Sequence, residues 1–241
     1  REIRNFVKTP FYRVLGSFQA TAKDGTPVLL DAEWKAVEGS KYFESPLLYK
    51  ENGFKKEESA QTLIAELKGQ EALIDSVETG TQKKRAPLLF NLAELQAECS
   101  KRFKISPDET LKIIQELYEK KLVTYPRTDA RVLSTAVSKE IYKNIGGLRN
   151  FAPLADFAAK ALDSGTWKQI AKTKYVNDKQ ITDHYAIIPT GQGLTALSSL
   201  HATSAKVYEV IVRRFLSIFC PPAVYQKIAL CVQRGSEQFF A

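Results

Sequence analysis

Tyr125 and Arg127 stand two residues apart, with Pro126 between them to stiffen the backbone. A tyrosine hydroxyl is a weak nucleophile, because only about a thousandth of it is phenolate at neutral pH. A neighbouring guanidinium favours the phenolate and can also grip a phosphodiester through its planar donors. This pairing favours attack on a phosphate that leaves a phosphotyrosine, although a buried strand tyrosine followed by a turn has the same pattern.

The residues on either side of this pair decide between the two interpretations. Residues 117–131 read Leu-Tyr-Glu-Lys-Lys-Leu-Val-Thr-Tyr-Pro-Arg-Thr-Asp-Ala-Arg, which resembles the active-site segment of type IA DNA topoisomerases. Pro126 makes the topoisomerase III branch the better match. Residues 183–190 read Asp-His-Tyr-Ala-Ile-Ile-Pro-Thr and resemble a second stretch of that family, preceded by a similar run at 175–182.

The resemblance implies a role for several side chains. Tyr125 corresponds to the nucleophile that cuts single-stranded DNA and keeps the 5′ end. Arg127 would neutralise the phosphoryl oxygens, and His184 would help to position the scissile phosphate. Arg131 and Lys179 are candidate contacts to the DNA backbone, and either is equally compatible with a solvated surface charge.

Two positions depart from the family pattern, and one expected motif is absent. Ala130 stands where the family commonly has serine, and Tyr185 where histidine or glutamate is frequent. Family members bind Mg²⁺ at an acidic cluster in a separate N-terminal domain, which also supplies a glutamate as proton donor. The sequence contains no Asp-x-Asp cluster of this kind and no zinc-binding or nucleotide-binding motif. We therefore expect an internal fragment of an isomerase that needs Mg²⁺ and the remaining domains of the polypeptide.

The composition agrees with a DNA-binding protein without requiring one. The 241 residues include 35 Lys and Arg against 27 Asp and Glu, a net charge of +8. Three cysteines form no close-spaced metal pattern, and no leader or long apolar stretch is apparent. We expect a reduced, cytoplasmic protein (nucleoid-associated if bacterial) that binds single-stranded DNA and no membrane. The oligomeric state is not predicted.

Hydrophobic periodicity changes along the chain. Residues 11–34 alternate as two strands around Asp24-Gly25, 57–68 have the pattern of a short helix, and 72–77 that of a strand. The polar, basic run 79–85 has the composition of a linker. Helices are predicted after the caps Asn91 and Ser106 and near 152–162 and 206–215, with a short strand at 122–125. A strand at 224–232 and a final strand after a turn at 234–236 complete the pattern.

Strand-rich ends around a helical middle predict an α+β fold with one domain inserted into another. The strand-rich gate domain would comprise 1–84 and 203–241, and the inserted, mainly helical domain with the tyrosine would comprise 85–202. Two helices joined by a tight turn and followed by a strand predict a winged-helix outline for the insert, with an ordinary helical hairpin as the alternative.

Two other functions remain possible from the residues alone. The chain could be a non-catalytic winged-helix DNA-binding module in which Tyr125 is structural. It could also be another tyrosine-dependent DNA-cleaving enzyme, such as a recombinase or a relaxase. Relaxases use a histidine triad, and the two histidines of this chain argue against that class.

Overall fold

The computed structural model describes residues 8–241, which form two compact units. The strand-rich unit comprises residues 8–82 and Tyr225–Ala241, and the helical unit comprises Lys83–Val224. Helices and strands are both abundant, so the fold is a mixture of α and β structure, as predicted. No described helix has the length and apolarity needed to cross a membrane.

The strand-rich unit is built on a five-stranded sheet with the order β1-β2-β7-β6-β5. Its strands are β1 Leu15–Thr21, β2 Pro27–Lys35, β5 Ala72–Lys84, β6 Ala223–Arg234 and β7 Glu237–Phe240. The predicted hairpin between β1 and β2 is confirmed, and Gly25 adopts the left-handed conformation (φ 85°) that its turn requires. A two-stranded ribbon, β3 Leu48–Lys50 with β4 Gly53–Phe54, precedes helix α1 Glu57–Leu67.

An aromatic cluster forms the core of this unit. Trp34 stacks on Phe54 with ring centroids 4.9 Å apart, and Tyr42 meets Phe54 edge-on. The buried carboxylate of Glu237 accepts hydrogen bonds from the Trp34 indole (2.7 Å) and the Ser40 hydroxyl (2.6 Å). These bonds satisfy a charge that would otherwise be costly to bury, and they tie β7 to β2.

The helical unit contains five longer helices joined by 3₁₀ turns. They are α2 Leu92–Phe103, α3 Pro107–Glu119, α4 Thr135–Gly147, α5 Ala155–Asp163 and α6 Ala202–Ser217. The two predicted caps are confirmed, because the side chains of Asn91 and Ser106 accept hydrogen bonds from the backbone N–H groups of Glu94 and Glu109.

Two local predictions are wrong. Residues 79–84, predicted as a linker, continue strand β5 as far as Lys84. Residues 122–125 form no regular strand, and Val123 makes only an isolated bridge to Pro189. The proline has no N–H to donate, and the Thr124 side chain takes part of the backbone pairing, so a ladder cannot extend.

The compact units lie within two residues of the predicted domains at the first boundary and differ from them at the second. Helix α6 begins at Ala202 and contributes Val207, Ile211 and Phe215 to the core of the helical unit, whereas the prediction placed 203–241 with the strands. Eight residues of α6 are buried, on more than one side of the helix, which is the pattern of a core helix.

Candidate active site around Tyr125

Two segments distant in sequence, 122–131 and 183–190, lie side by side in the helical unit. The N–H of Thr124 donates to the carbonyl of Ile188 (3.0 Å), and the N–H of Thr190 donates to Leu122 (3.0 Å). The Thr124 hydroxyl donates to the carbonyl of Ala186 (3.0 Å) and accepts from the Ile188 N–H (3.0 Å). The two sequence motifs therefore belong to one site.

This pairing places the ring of His184 against the ring of Tyr125. Their centroids are 4.2 Å apart with the planes tilted by 36°, and the ring of Tyr118 meets that of Tyr125 edge-on at 5.5 Å. Tyr125 is half-buried and His184 is exposed. The histidine contacts the tyrosine ring, and both residues line the same cleft.

A cleft of about 790 Å³ opens beside these rings. Its walls carry two cations, Lys121 and Lys143, and two carboxylates, Glu119 and Glu140. Lys143 is paired with Glu140 at 3.1 Å. Volumes of this order, roughly 300–1,000 Å³, are typical of ligand sites. None of these four side chains was predicted as a site residue from the sequence.

A sequence signal existed for some of the missed residues and not for others. Tyr118, Glu119 and Lys121 lie within the string 117–131 that carries the family resemblance. Glu140 and Lys143 lie on α4, whose approach to the cleft depends on tertiary packing and has no sequence motif.

Arg127 is exposed and is not among the residues that line the cleft. Within residues 8–241 its side chain forms no salt bridge; those found there involve other side chains. The guanidinium is free to meet an anion close to Tyr125, and its predicted role in catalysis stays a prediction.

The two candidate DNA contacts have different surroundings. Arg131 donates to the carbonyl of Leu89 (3.2 Å) and pairs with Glu94 (3.1 Å), so its guanidinium has structural partners. Lys179 is exposed on a 3₁₀ turn. Neither lines the cleft, and the structure does not bring them together with Tyr125. Their contacts to DNA stay a prediction.

The residues of the cleft do not fit a Mg²⁺ site. Mg²⁺ prefers several carboxylate and water oxygens in octahedral geometry, and one of the two cleft carboxylates is already paired with Lys143. No group of three or more potential metal ligands occurs in the part of the chain that the structure describes. No chemical step is assigned to a metal within these residues.

Comparison with known proteins agrees with the two motifs. A family model described as DNA topoisomerase matches residues 1–241. The chain belongs to the type IA DNA topoisomerase family. It is 33% identical over 236 residues to "DNA topoisomerase 3" of Bacillus subtilis, covering 98% of this chain and 32% of the relative. It is 41% identical over 165 residues to "DNA topoisomerase 3" of Shouchella clausii, covering 68% of this chain and 22% of the relative.

A solved structure has the same fold. Full-length topoisomerase I from Thermotoga maritima matches with a TM-score of 0.59 and 21% identity, over 100% of this chain and 35% of that one. The family relationship predicted from the sequence is thus confirmed. The chain spans about a third or less of the length of these relatives.

Proposed function

We propose that this chain carries the strand-cleaving tyrosine of a DNA topoisomerase. The Tyr125 hydroxyl releases its proton as its oxygen attacks a backbone phosphorus of single-stranded DNA, a Tyr–O–P bond forms, and the P–O3′ bond breaks. The released 3′ oxygen takes a proton, and the downstream strand stays attached as a 5′-phosphotyrosine. Resealing is the reverse reaction. The observation that carries the proposal is the contact between Tyr125 and His184 at the cleft, where residues from both motifs meet.

The surroundings of Tyr125 support a role for its two partners. Arg127 has planar donors and is exposed, so it can pair with the phosphoryl oxygens as charge develops on them. His184 is held beside the tyrosine ring and can contact the same phosphate. Together they would hold the phosphate in line with the attacking oxygen, which lowers the entropic part of the barrier.

The complete activity needs more than these residues. We infer that the Mg²⁺ ion and the proton donor implied by the family lie outside residues 1–241, since the chain spans a third or less of its relatives. The complete protein, in the cytoplasm, would relax negatively supercoiled DNA or separate linked strands by cutting one strand, passing another and resealing. These 241 residues alone are expected to bind single-stranded DNA weakly and to relax none.

A non-catalytic DNA-binding module is the second candidate. Helices α2 and α3 are joined by the short connection 104–106, which is compatible with a helix-turn-helix. The winged-helix outline stays a hypothesis, and under this alternative the hydroxyl of Tyr125 would be dispensable.

Covalent trapping distinguishes the two candidates. The complete enzyme is incubated with single-stranded oligonucleotides labelled at either end, with Mg²⁺, and then denatured. A 5′-phosphotyrosine predicts that the 3′ label stays on the protein while the 5′-labelled piece is free. Tyr125→Phe should abolish the adduct and Arg127→Lys should reduce it, because lysine keeps the charge and loses the planar donors.

Tyr142→Phe is the matched control, because Tyr142 is an exposed tyrosine of the same unit that contacts Trp167 and does not line the cleft. An adduct that persists in Tyr125→Phe would identify another nucleophile, and the absence of any adduct in the wild-type enzyme would favour the binding module.

A further inference from the structure

Lys121 occupies a backbone conformation that lysine rarely adopts. Its φ is 60°, in the left-handed region, two residues after the end of α3 at Glu119. Glycine is the usual residue at such a position, because a side chain there crowds the following carbonyl. Lys104, at the end of α2, has nearly the same φ of 59°. The conformation alone therefore indicates no function.

The location of Lys121 distinguishes it from Lys104. Both lysines are exposed, but Lys121 lines the cleft beside Tyr125 and Lys104 does not. The Thr190 hydroxyl donates to the carbonyl of Lys121 (2.6 Å), and the Lys121 N–H donates to Tyr118 (2.8 Å). Hydrogen bonds to residues of both sequence motifs thus hold the backbone at Lys121 in place.

The two lysines of the cleft also differ in their ion pairs. Lys143 is paired with Glu140 at 3.1 Å, whereas the Lys121 side chain enters no salt bridge found among residues 8–241. An ammonium with three donors and no carboxylate partner is suited to an anion. The four-residue step from Lys121 to Tyr125 spans at most about 14 Å, which corresponds to a few nucleotides of a strand.

We propose that Lys121 binds a backbone phosphate of the single strand that enters the cleft, a few nucleotides from the phosphate attacked by Tyr125. The inference rests on the proposed function and adds a contact that fixes the position of the strand. The contact would use the ammonium of Lys121, and the left-handed backbone at this position is not part of the argument because Lys104 shares it.

The test compares equivalent substitutions at the two left-handed lysines. Binding of the 241-residue chain to a fluorescent mixed-sequence single-stranded oligonucleotide is measured by anisotropy at several salt concentrations, together with the melting temperature. Lys121→Gly should melt at the same temperature or higher, because glycine tolerates the conformation. Its affinity should fall about fivefold at 0.1 M salt, with a salt slope shallower by about 0.7, as expected for one lost phosphate contact.

Lys104→Gly should show the same change in melting temperature with wild-type affinity and slope. Lys121→Gln keeps the strained backbone and should lose affinity like the glycine variant, while Lys121→Arg should retain it. Wild-type binding by both Lys121→Gly and Lys121→Gln would overturn the proposal and leave the role of Tyr125 standing. Equal losses at positions 104 and 121 would also overturn it, because they would indicate a general effect of charge. A wild-type chain that binds no single-stranded DNA would overturn this contact, while covalent trapping with the complete enzyme tests the role of Tyr125 separately.

Discussion

The hydroxyl of Thr128 donates a 2.9 Å hydrogen bond to the backbone carbonyl of His184, 56 residues further along the chain. The same oxygen accepts the N–H of Ala130 at 3.1 Å, and Thr128 is only 7% exposed. One buried side chain therefore joins the segment of the tyrosine to the segment of the histidine. Ala130 is itself buried, and its backbone N–H contributes to this junction.

Replacing Thr128 by valine should lower the stability of the helical unit. The change keeps the shape but leaves the His184 carbonyl and the buried N–H of Ala130 without their partner, at a cost of about 1–3 kcal/mol. Urea unfolding followed by circular dichroism measures the loss. Thr128→Ser retains the hydroxyl and should recover most of it. A valine variant as stable as wild type would show that the bond contributes nothing.

The sequence predicted one hairpin turn and two helix caps correctly. The Asp24-Gly25 turn and the caps at Asn91 and Ser106 depend on a few neighbouring residues, so they can be predicted from the local sequence. Strand β5 was missed beyond residue 77 because it is exposed on both faces from Leu73 to Lys84. Such a strand has no alternation of apolar and polar residues to recognise.

The composition of the candidate site was predicted only in part. The motifs indicated Tyr125 and His184, and the structure brings these two together. Arg131 and Lys179 do not line the cleft. Lys143 lines it only because α4 packs beside it. Contacts of this kind depend on tertiary packing, which periodicity and motif spacing do not encode.

Two adjacent glycines of α4 should respond oppositely to alanine. A methyl group on Gly147 would overlap the backbone carbonyl of Gly191, whereas one on Gly146 would meet open space. Gly147→Ala should therefore destabilise by more than about 1 kcal/mol, because backbone cannot easily move aside. Gly146→Ala should be neutral or stabilise by about 0.5–1 kcal/mol, as in other helices. Melting temperatures of both variants test this, and equal effects would contradict the close approach of α4 to Gly191.

The three cysteines should differ in reactivity. Burial raises the pKa of the Cys99 thiol to about 11 and also raises the pKa of the Cys231 thiol, while Cys220 is exposed. At pH 8 about a thousandth of Cys99 would be thiolate, the reactive form. A thiol reagent should label one cysteine of the native chain rapidly and all three in urea. Cys220→Ser should abolish the rapid label; rapid loss of a second thiol would contradict the burial.

Asp178 should make stability depend on acid pH. The hydroxyl and N–H of Thr135, at the start of α4, donate to its carboxylate at 2.5 and 2.8 Å and hold its pKa below the ordinary 3.8. A lowered pKa in the folded state stabilises above pH 3.8, and this contribution disappears as pH falls through the folded value. Asp178→Asn should lower the melting temperature at pH 7 and have progressively less effect below pH 3.8. Asp183→Asn, at another exposed aspartate, serves as the control. If Asp178→Asn lowered the melting temperature equally at every pH, the ionised carboxylate of Asp178 would not be the cause of the stabilisation.

Two buried tyrosines of the helical unit should respond differently to replacement by phenylalanine. We expect the free energy of unfolding to stay the same or rise for Tyr208→Phe and to fall for Tyr175→Phe. Tyr208 is fully buried against Phe151, and its hydroxyl has no protein hydrogen-bond partner within the described chain. Burial also raises the pKa of this hydroxyl, because it disfavours the charged phenolate. Tyr175 is equally buried, but its hydroxyl donates to the carbonyl of Ala86 at 2.7 Å.

Tyr208→Phe removes an unsatisfied polar atom and should leave stability unchanged or raise it by about 1 kcal/mol. Tyr175→Phe removes a hydroxyl that is hydrogen-bonded and leaves the Ala86 carbonyl without its donor, so it should lower the free energy of unfolding by about 1–2 kcal/mol. Both variants keep the aromatic packing, so the difference between their urea midpoints isolates the hydrogen bond. If Tyr208→Phe lost as much stability as Tyr175→Phe, the Tyr208 hydroxyl would have to be bonded in solution, and the packing of α6 around it would differ from the one described here.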